Sequence, residues 1–365
     1  MGGWALRVVP VSNRITVALI PTSLTRRLLA GVALSAVAAT SGSALFAGQA
    51  QAQGKESKTI LLVSYAVTKA AYDKIIPLFQ ADWKKKTGQD VVVKTSFGGS
   101  GSQTRAVIDG LEADVVALAM TADVAKIEKA GLIQPGWEDE LPNHSIATNS
   151  TVVLMVRGGN PKKIKNWDDL NNPDVEVVTA NPKTSGGARW NFLGLWGSVT
   201  ENGGSEADAK KFIASVIRNV EVLPKDAREA TDTFIKRKKG DVLLNWETEG
   251  ILARRNGDWT VPYKLPSPNV LTEMPIAVVD KNVDKKGTRK VAEAFARFLW
   301  TPAAQKAYAD NGLRPVIPAL KAYASSKFYS GVKFFKVGDL GGWGAVDKKF
   351  FGKGGTWDQI FKKTR

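Results

Sequence analysis

Three segments of the sequence place glycine and other small residues between an apolar run and an expected helix start. They cover residues 96–103, 181–190 and 225–231. The first amide groups of a helix lack intrahelical partners, and the helix dipole adds roughly half a positive charge at that end. Glycine lets a backbone approach an anion closely because it has no Cβ. Three such ends that met at one point would hold a small oxyanion without a cationic side chain.

Other chemistry is limited by the residue types. The chain contains no Cys and a single His, His144, among 365 residues. It therefore offers no thiolate or poly-His metal site and no Cys nucleophile, and a Ser-His-Asp triad would require His144. The Gly-Gly-Ser-Gly at 98–101 is not followed by the Gly-Lys-Ser/Thr of a phosphate-binding P-loop. Glu247 and Glu249, expected on a strand, have no nucleophile or metal ligand nearby, so we interpret them as salt-bridge partners.

The basic residues are unevenly distributed. Residues 1–52 contain four Arg and no acidic residue, and an apolar run over 28–46 ends at Ala50-Gln51-Ala52. This arrangement predicts a cleaved secretory signal peptide over residues 1–52. Its removal leaves 47 basic and 35 acidic residues, a formal charge of +12 against +16 for the whole chain. The charge favours anionic partners, but the export signal and the scattered lysines argue against nucleic acid.

The exported part alternates between strand and helix patterns, which is typical of an α/β fold with parallel strands. Apolar positions on one helix face predict a helix over about 69–86, and a longer helix is expected over 290–310. The number of strands exceeds what one compact sheet would hold. We therefore predict two α/β lobes with a hinge near residues 150–156 and 276–279. Lobe I is expected to comprise residues 53–148 and 272–365, and lobe II residues 149–271.

Several motifs resemble those of the periplasmic sulfate- and thiosulfate-binding proteins, the solute receptors of sulfate ABC importers. The resemblance extends from about residue 60 to 360, and its most specific stretch is Asn-Pro-Lys-Thr-Ser-Gly-Gly-Ala-Arg-Trp-Asn at 181–191. Shorter motifs match in order and spacing at 98–101, 240–247, 341–343 and 355–360. The resemblance implies a periplasmic binding protein-like class II fold, in which two α/β lobes close on a dehydrated sulfate dianion in the cleft between them.

The resemblance also implies a set of ligand-binding residues. Ser185 would donate its hydroxyl, and Trp246 its indole N–H. Main-chain N–H groups would come from Ala66, Ser100, Gly186, Gly187 and Ala227. Arg189 follows the glycines and could contact the anion directly. We instead expect it to support this set together with Ser64, because a full cation would cost selectivity and slow release. The family usually has Asp where this chain has Ala66, so any role of that carboxylate in ordering the loop is lost, while the main-chain amide remains.

The implied function is high-affinity binding of sulfate, or of thiosulfate, and its delivery to the membrane permease subunits of a sulfate ABC importer. The protein is expected to be a monomeric periplasmic receptor without catalytic residues, cofactor or metal. Two alternatives stay open: a receptor for another tetrahedral oxyanion, such as molybdate or phosphate, and an exported enzyme acting on sulfate or phosphate esters. Sulfate near neutral pH requires donors only, whereas protonated phosphate also requires an acceptor.

Overall fold

Nine strands and thirteen helices alternate along residues 57–364, the part of the chain that the computed structural model describes. The predicted signal peptide, residues 1–52, lies outside the described residues. The strands are β1 (Lys58–Tyr65), β2 (Val91–Gly98), β3 (Val115–Ala117), β4 (Ile146–Val156), β5 (Val177–Val178), β6 (Val220–Val222), β7 (Val242–Trp246), β8 (Asn269–Val278) and β9 (Phe334–Phe335).

The helices connect these strands and cover the sheet. They are α1 (Lys69–Thr87), α2 (Ser100–Ile108), α3 (Thr121–Lys129), α4 (Gly186–Thr200), α5 (Glu206–Arg218), α6 (Ala227–Ile235), α7 (Glu247–Arg255), α8 (Asp280–Lys286), α9 (Arg289–Phe298), α10 (Pro302–Asp310), α11 (Lys321–Ser325), α12 (Gly342–Val346) and α13 (Thr356–Thr364). Between residues 57 and 364, no helix has both the length and the apolar composition needed to cross a bilayer.

The strands form one path of hydrogen-bonded neighbours in the order β2-β1-β3-β8-β4-β7-β5-β6, with β9 beside β8. β1 is parallel to β2 and β3, and β5 is parallel to β6 and β7, as the alternating pattern predicts. β4 is antiparallel to β7 and to β8, and β8 is also antiparallel to β3. These two long strands therefore join a first strand group (β1, β2, β3) to a second (β5, β6, β7). The predicted hinge segments lie on or directly after them.

Strand residues alternate between two hydrophobic layers because successive side chains point to opposite faces of a sheet. In β1, Leu62 belongs to the main core, whereas Val63 packs into a smaller cluster with residues of α2 and α3. In β4, Leu154 belongs to the main core, and Val153 packs on the other face with residues of α6. Both faces are covered, as in other α/β proteins, so a ligand can approach mainly at the strand ends.

The helix predictions have mixed outcomes. α1 covers the predicted span and buries the predicted apolar face, including Tyr72 and Phe79. The prediction of a single long helix over 290–310 is wrong, because the chain forms α9 and α10 instead. Pro302 has no N–H to continue the first helix and occupies the first turn of the second, where Thr301 Oγ1 accepts a hydrogen bond from Ala304 N.

Residues 342–364, which we call the C-terminal segment, pack against α4 and α5. The Phe350 ring lies 4.6 Å from that of Trp196, and Trp357 lies 6.3 Å from Phe192. Both helices accompany the second strand group. The segment also contacts α3 through α12, so the lobe boundaries, residues 53–148 with 272–365 and residues 149–271, stay predictions.

Replacement of Phe350 by Ala tests this packing. Phe350 is fully buried, so Phe350→Ala should lower the free energy of unfolding by about 3–5 kcal/mol. Phe361→Ala, at a half-buried position of the same segment, is the matched control and should cost less. Equilibrium urea unfolding measures both values. A loss below about 1 kcal/mol for Phe350→Ala would contradict the assignment of the segment to the core.

Candidate anion-binding site

The three segments that contain small residues meet at one point in the structure. A Cβ atom on Gly99 would lie 2.6 Å from the carbonyl oxygen of Thr184 and 3.3 Å from that of Lys225. The Thr184 hydroxyl donates a hydrogen bond of 2.6 Å to the same Lys225 carbonyl. Segments that are far apart in the sequence are therefore in direct contact, and only a residue without a Cβ permits this approach.

A small cavity lies where these segments meet. Its volume is about 10 Å³, far below the roughly 300–1,000 Å³ of pockets for drug-sized ligands. Five of the seven predicted ligand-binding residues line it, namely Ala66, Ser100, Ser185, Gly187 and Ala227. The other lining residues are Tyr65, Val67, Gly98, Gly99 and Asp226. The cavity therefore suits a small ion rather than a larger organic molecule.

Helices begin around this cavity. α2 begins at Ser100, α4 at Gly186 and α6 at Ala227, and a 3₁₀ turn begins at Ala66 directly after β1. The first amides of each helix have no intrahelical partner and lie at the positive end of the helix dipole. Backbone donors thus surround the cavity, and its described lining contains neither Lys nor Arg.

The start of α4 lies against the start of α2. A Cβ on Gly186 would lie 2.8 Å from the Ala119 Cβ and 3.1 Å from the Ser100 Cβ, so glycine is required here. The buried Ser185 precedes it as the N-cap of α4, and its Oγ accepts a hydrogen bond of 3.3 Å from Ala188 N. That bond uses Ser185 as an acceptor, which leaves its hydroxyl proton free to be donated to a ligand.

The indole N–H of Trp246 is buried and has no hydrogen-bond partner among the described residues. A Cβ on Gly187 would lie 2.6 Å from the indole nitrogen, so this nitrogen borders a glycine of the cavity lining. A buried donor without an acceptor costs about 1–3 kcal/mol. Trp83, Trp259 and Trp300 also have unpaired indole N–H groups within residues 57–364, but only Trp246 is packed against a lining glycine. This position fits the ligand donor that the resemblance implies.

The hydroxyl groups of Ser100 and Ser64 are engaged within the protein. Ser100 Oγ donates to Asp123 Oδ2 at 2.7 Å and accepts from Ala119 N at 3.0 Å, so only its amide remains for a ligand. Ser64 Oγ donates to Ala117 O at 2.6 Å and joins β1 to β3 without reaching the cavity lining. Ser64 therefore has the geometry of the supporting role that the resemblance implies.

Arg189 points away from the cavity. Its Nε donates to Pro182 O at 3.0 Å, and its Nη1 pairs with Asp347 Oδ1 of the C-terminal segment at 2.5 Å. The guanidinium also lies over the Phe351 ring, 4.8 Å from its centre. Arg189 consequently braces the 181–189 loop from outside and does not supply a charge to the cavity lining.

Two lining residues with polar side chains were not among the ligand-binding residues predicted from the sequence. Asp226 is the N-cap of α6, and its Oδ1 accepts a hydrogen bond of 2.9 Å from Glu229 N. An Asp directly before a helix is a recognisable capping signal. Tyr65 packs 5.4 Å from the Trp246 ring and donates its hydroxyl to Met274 Sδ. Burial raises the pKa of Tyr65 well above its usual value, so its hydroxyl stays neutral.

The two glutamates that follow β7 lie on α7, not on a strand as expected. Their interpretation as salt-bridge partners is confirmed: Glu247 pairs with Arg314 Nε at 2.6 Å, and Glu249 with Arg228 Nη2 at 2.8 Å. Burial raises the pKa of Glu249, and the nearby Arg228 partly opposes that effect. Across residues 57–364, no three acidic or histidine side chains are grouped in a way that could bind a metal.

The sequence model of the family described as bacterial extracellular solute-binding protein matches residues 60–314. The chain belongs to this family. The Synechococcus elongatus sulfate-binding protein is 57% identical to this solute-binding protein over 302 residues, 82% of this chain and 86% of that protein. The Pseudomonas aeruginosa thiosulfate-binding protein is 41% identical over 308 residues, 84% of this chain and 92% of that protein.

A solved structure gives the same result for the fold. The sulfate-binding protein SubI from Mycobacterium tuberculosis matches this solute-binding protein with a TM-score of 0.74 and 37% identity, covering 80% of this chain and 99% of that chain. A periplasmic thiamin binding protein, at 16% identity, shares the fold with a TM-score of 0.60. The predicted fold class, α/β with two lobes of the periplasmic binding protein type, is confirmed.

The raised pKa of Glu249 predicts a pH-dependent stability difference. Its native pKa exceeds the ordinary value of 4.5, so above pH 4.5 the native state binds more protons than the unfolded chain. The free energy of unfolding of the wild type then falls as pH rises through the native pKa. Glu249→Gln lacks this titration, and its stability relative to wild type should increase between pH 4.5 and 7.5. Urea unfolding at several pH values measures the difference, and a constant difference would contradict the raised pKa.

Proposed function

We propose that this solute-binding protein is an extracytoplasmic receptor that binds sulfate in the cavity described above and delivers it to the permease subunits of an ABC importer. The observation that carries the proposal is the buried, unpaired indole N–H of Trp246 beside the starts of α2, α4 and α6. The sulfate-binding protein at 57% identity supports sulfate as the anion. The proposed donors are the Ser185 hydroxyl, the Trp246 indole and the amides of Ala66, Ser100, Gly186, Gly187 and Ala227.

The energetics of such a site favour a fully deprotonated anion. A buried dianion loses its hydration and must be hydrogen-bonded on every oxygen. Hydrogen bonds to a charged group contribute about 1.5–3 kcal/mol each, so half a dozen can offset a substantial desolvation cost. Neutral donors also leave no opposite charge in the cavity that would have to be separated from the anion during release.

Thiosulfate is the second candidate ligand. It replaces one sulfate oxygen by sulfur and needs a similar set of donors. The thiosulfate-binding protein at 41% identity over 84% of this chain favours keeping it as an alternative. Competition between the two anions in one calorimetric titration series ranks them directly.

The receptor is proposed to act as a periplasmic monomer and to leave its ligand chemically unchanged. The predicted signal peptide supports the location, and the engagement of Glu247 and Glu249 in ion pairs argues against acid–base catalysis by them. Two lobes that move about β4 and β8 would open and close the cavity. Molybdate, phosphate and ester hydrolysis are the alternatives that binding and hydrolysis assays distinguish.

Phosphate discrimination is the first test of the donor-rich site. The monohydrogen phosphate O–H requires an acceptor, and a buried unpaired O–H costs about 1–3 kcal/mol. Phosphate should therefore bind about 10- to 100-fold more weakly than sulfate in calorimetry at pH 7.5. Comparable affinities would contradict the proposal and would implicate Asp226, the one acidic residue in the described cavity lining, as an acceptor.

Trp246→Phe tests the donor that carries the proposal. The change keeps an aromatic ring and removes the N–H, so sulfate affinity should fall about 10- to 100-fold in calorimetry. Trp83→Phe is the matched control, because Trp83 is also buried with an unpaired indole N–H but lies on α1. It should bind sulfate like the wild type. Equal sulfate affinity for Trp246→Phe and wild type would overturn the role of this indole.

A further inference from the structure

A hydrogen bond behind the cavity connects the two strand groups. Trp190 Nε1 donates to the carbonyl oxygen of Ala119 at 2.6 Å, and the Trp190 side chain is fully buried. Trp190 lies on α4, which packs against β7 of the second strand group. Ala119 is the second residue after β3 of the first strand group. The bond therefore spans the predicted boundary between lobe I and lobe II.

Ala119 also makes a hydrogen bond toward the proposed anion site. Ala119 N donates to Ser100 Oγ at 3.0 Å, and Ser100 Oγ donates to the buried Asp123 at 2.7 Å. Ser100 begins α2, and its amide is one of the proposed ligand donors. Ala119 thus accepts the indole N–H of α4 with its carbonyl oxygen and holds the start of α2 with its own N–H.

The surrounding packing allows little freedom to this contact. Gly186 fits against the Cβ atoms of Ala119 and Ser100, as described above. The Trp190 ring also packs edge to face against the Trp343 ring of the C-terminal segment, with ring centres 4.8 Å apart. The aromatic contact holds the Trp190 ring in the orientation in which its N–H reaches the Ala119 carbonyl oxygen.

We propose that Trp190 is a positioning residue that latches the two lobes around the bound anion and thereby sets the rate of anion release. The inference rests on the proposed function, because it assigns the latch to the sulfate-binding cavity. Trp190 does not line the cavity, so its loss would leave the donor set complete. It would remove a bond that exists only in the closed arrangement and would consequently accelerate opening.

Trp190→Phe removes the N–H and keeps a buried aromatic ring. Loss of a neutral hydrogen bond worth about 0.5–1.5 kcal/mol should raise the sulfate dissociation rate about 3- to 10-fold, with the association rate unchanged. Stopped-flow tryptophan fluorescence measures both rates, and calorimetry should show the same factor in Kd. Trp167→Phe is the matched control: Trp167 is equally buried and donates to Pro268 O at 2.7 Å within the predicted lobe II.

The comparison separates a latch from a general packing effect. Both variants should melt at lower temperature than the wild type, but only Trp190→Phe should release sulfate faster. The latch would be overturned if the sulfate dissociation rate of Trp190→Phe equalled that of the wild type. It would also be overturned if both variants released sulfate equally faster than the wild type. A wild type that shows no sulfate binding at all would overturn the proposed function and the latch with it, which distinguishes the two failures.

A measurement on the wild type covers the case in which Trp190→Phe does not fold. Indole hydrogen exchange, followed by nuclear magnetic resonance on ¹⁵N-labelled protein, reports the opening of each indole bond. Saturation with sulfate should slow exchange at Trp190 at least about 10-fold relative to the free protein and leave Trp167 unchanged. Equal exchange at Trp190 with and without sulfate would also overturn the latch.

Discussion

A buried indole N–H that has no hydrogen-bond acceptor within residues 57–364 constrains the site around Trp246. The neighbouring position has to be glycine, because a Cβ on Gly187 would lie 2.6 Å from the indole nitrogen. Gly187 is the second residue of α4, so its own amide is among those that lack an intrahelical partner. The indole of Trp246 and the amide of Gly187 at the start of α4 thus present donors to one small volume. An anion with several acceptor oxygens could satisfy all of them together, whereas a cation could not.

The net positive charge and the neutral donors have separate roles in this account. Residues 53–365 have a formal charge of +12, yet the described cavity lining contains neither Lys nor Arg. The nearby Arg189 is turned outward to Asp347, where it holds the 181–189 loop. Long-range attraction would raise the local anion concentration and fall with salt, whereas short-range dipoles would provide selectivity and change little with salt.

Local signals predicted much of the fold and the site, and long-range contacts account for what was missed. Helix-start chemistry at residues 98–101 and 185–187 is readable because it depends on adjacent residues. Trp246 emerged as a ligand donor only through the family resemblance, since a Trp at the end of an apolar strand is by default a core residue. The Trp190 bond to Ala119 joins residues 71 positions apart, and no local pattern encodes it. Pro302 is a strong local signal for a new helix start, and the prediction of one helix over 290–310 did not use it.

The most direct test of the central claim is a crystal structure of the sulfate complex. The account predicts a sulfate oxygen about 2.7–3.2 Å from Trp246 Nε1, further oxygens at similar distances from the amides of Ser100, Gly187 and Ala227, and no Lys or Arg nitrogen in contact with the anion. A sulfate held by a Lys or Arg side chain, or bound elsewhere with the Trp246 N–H still unpaired, would contradict it.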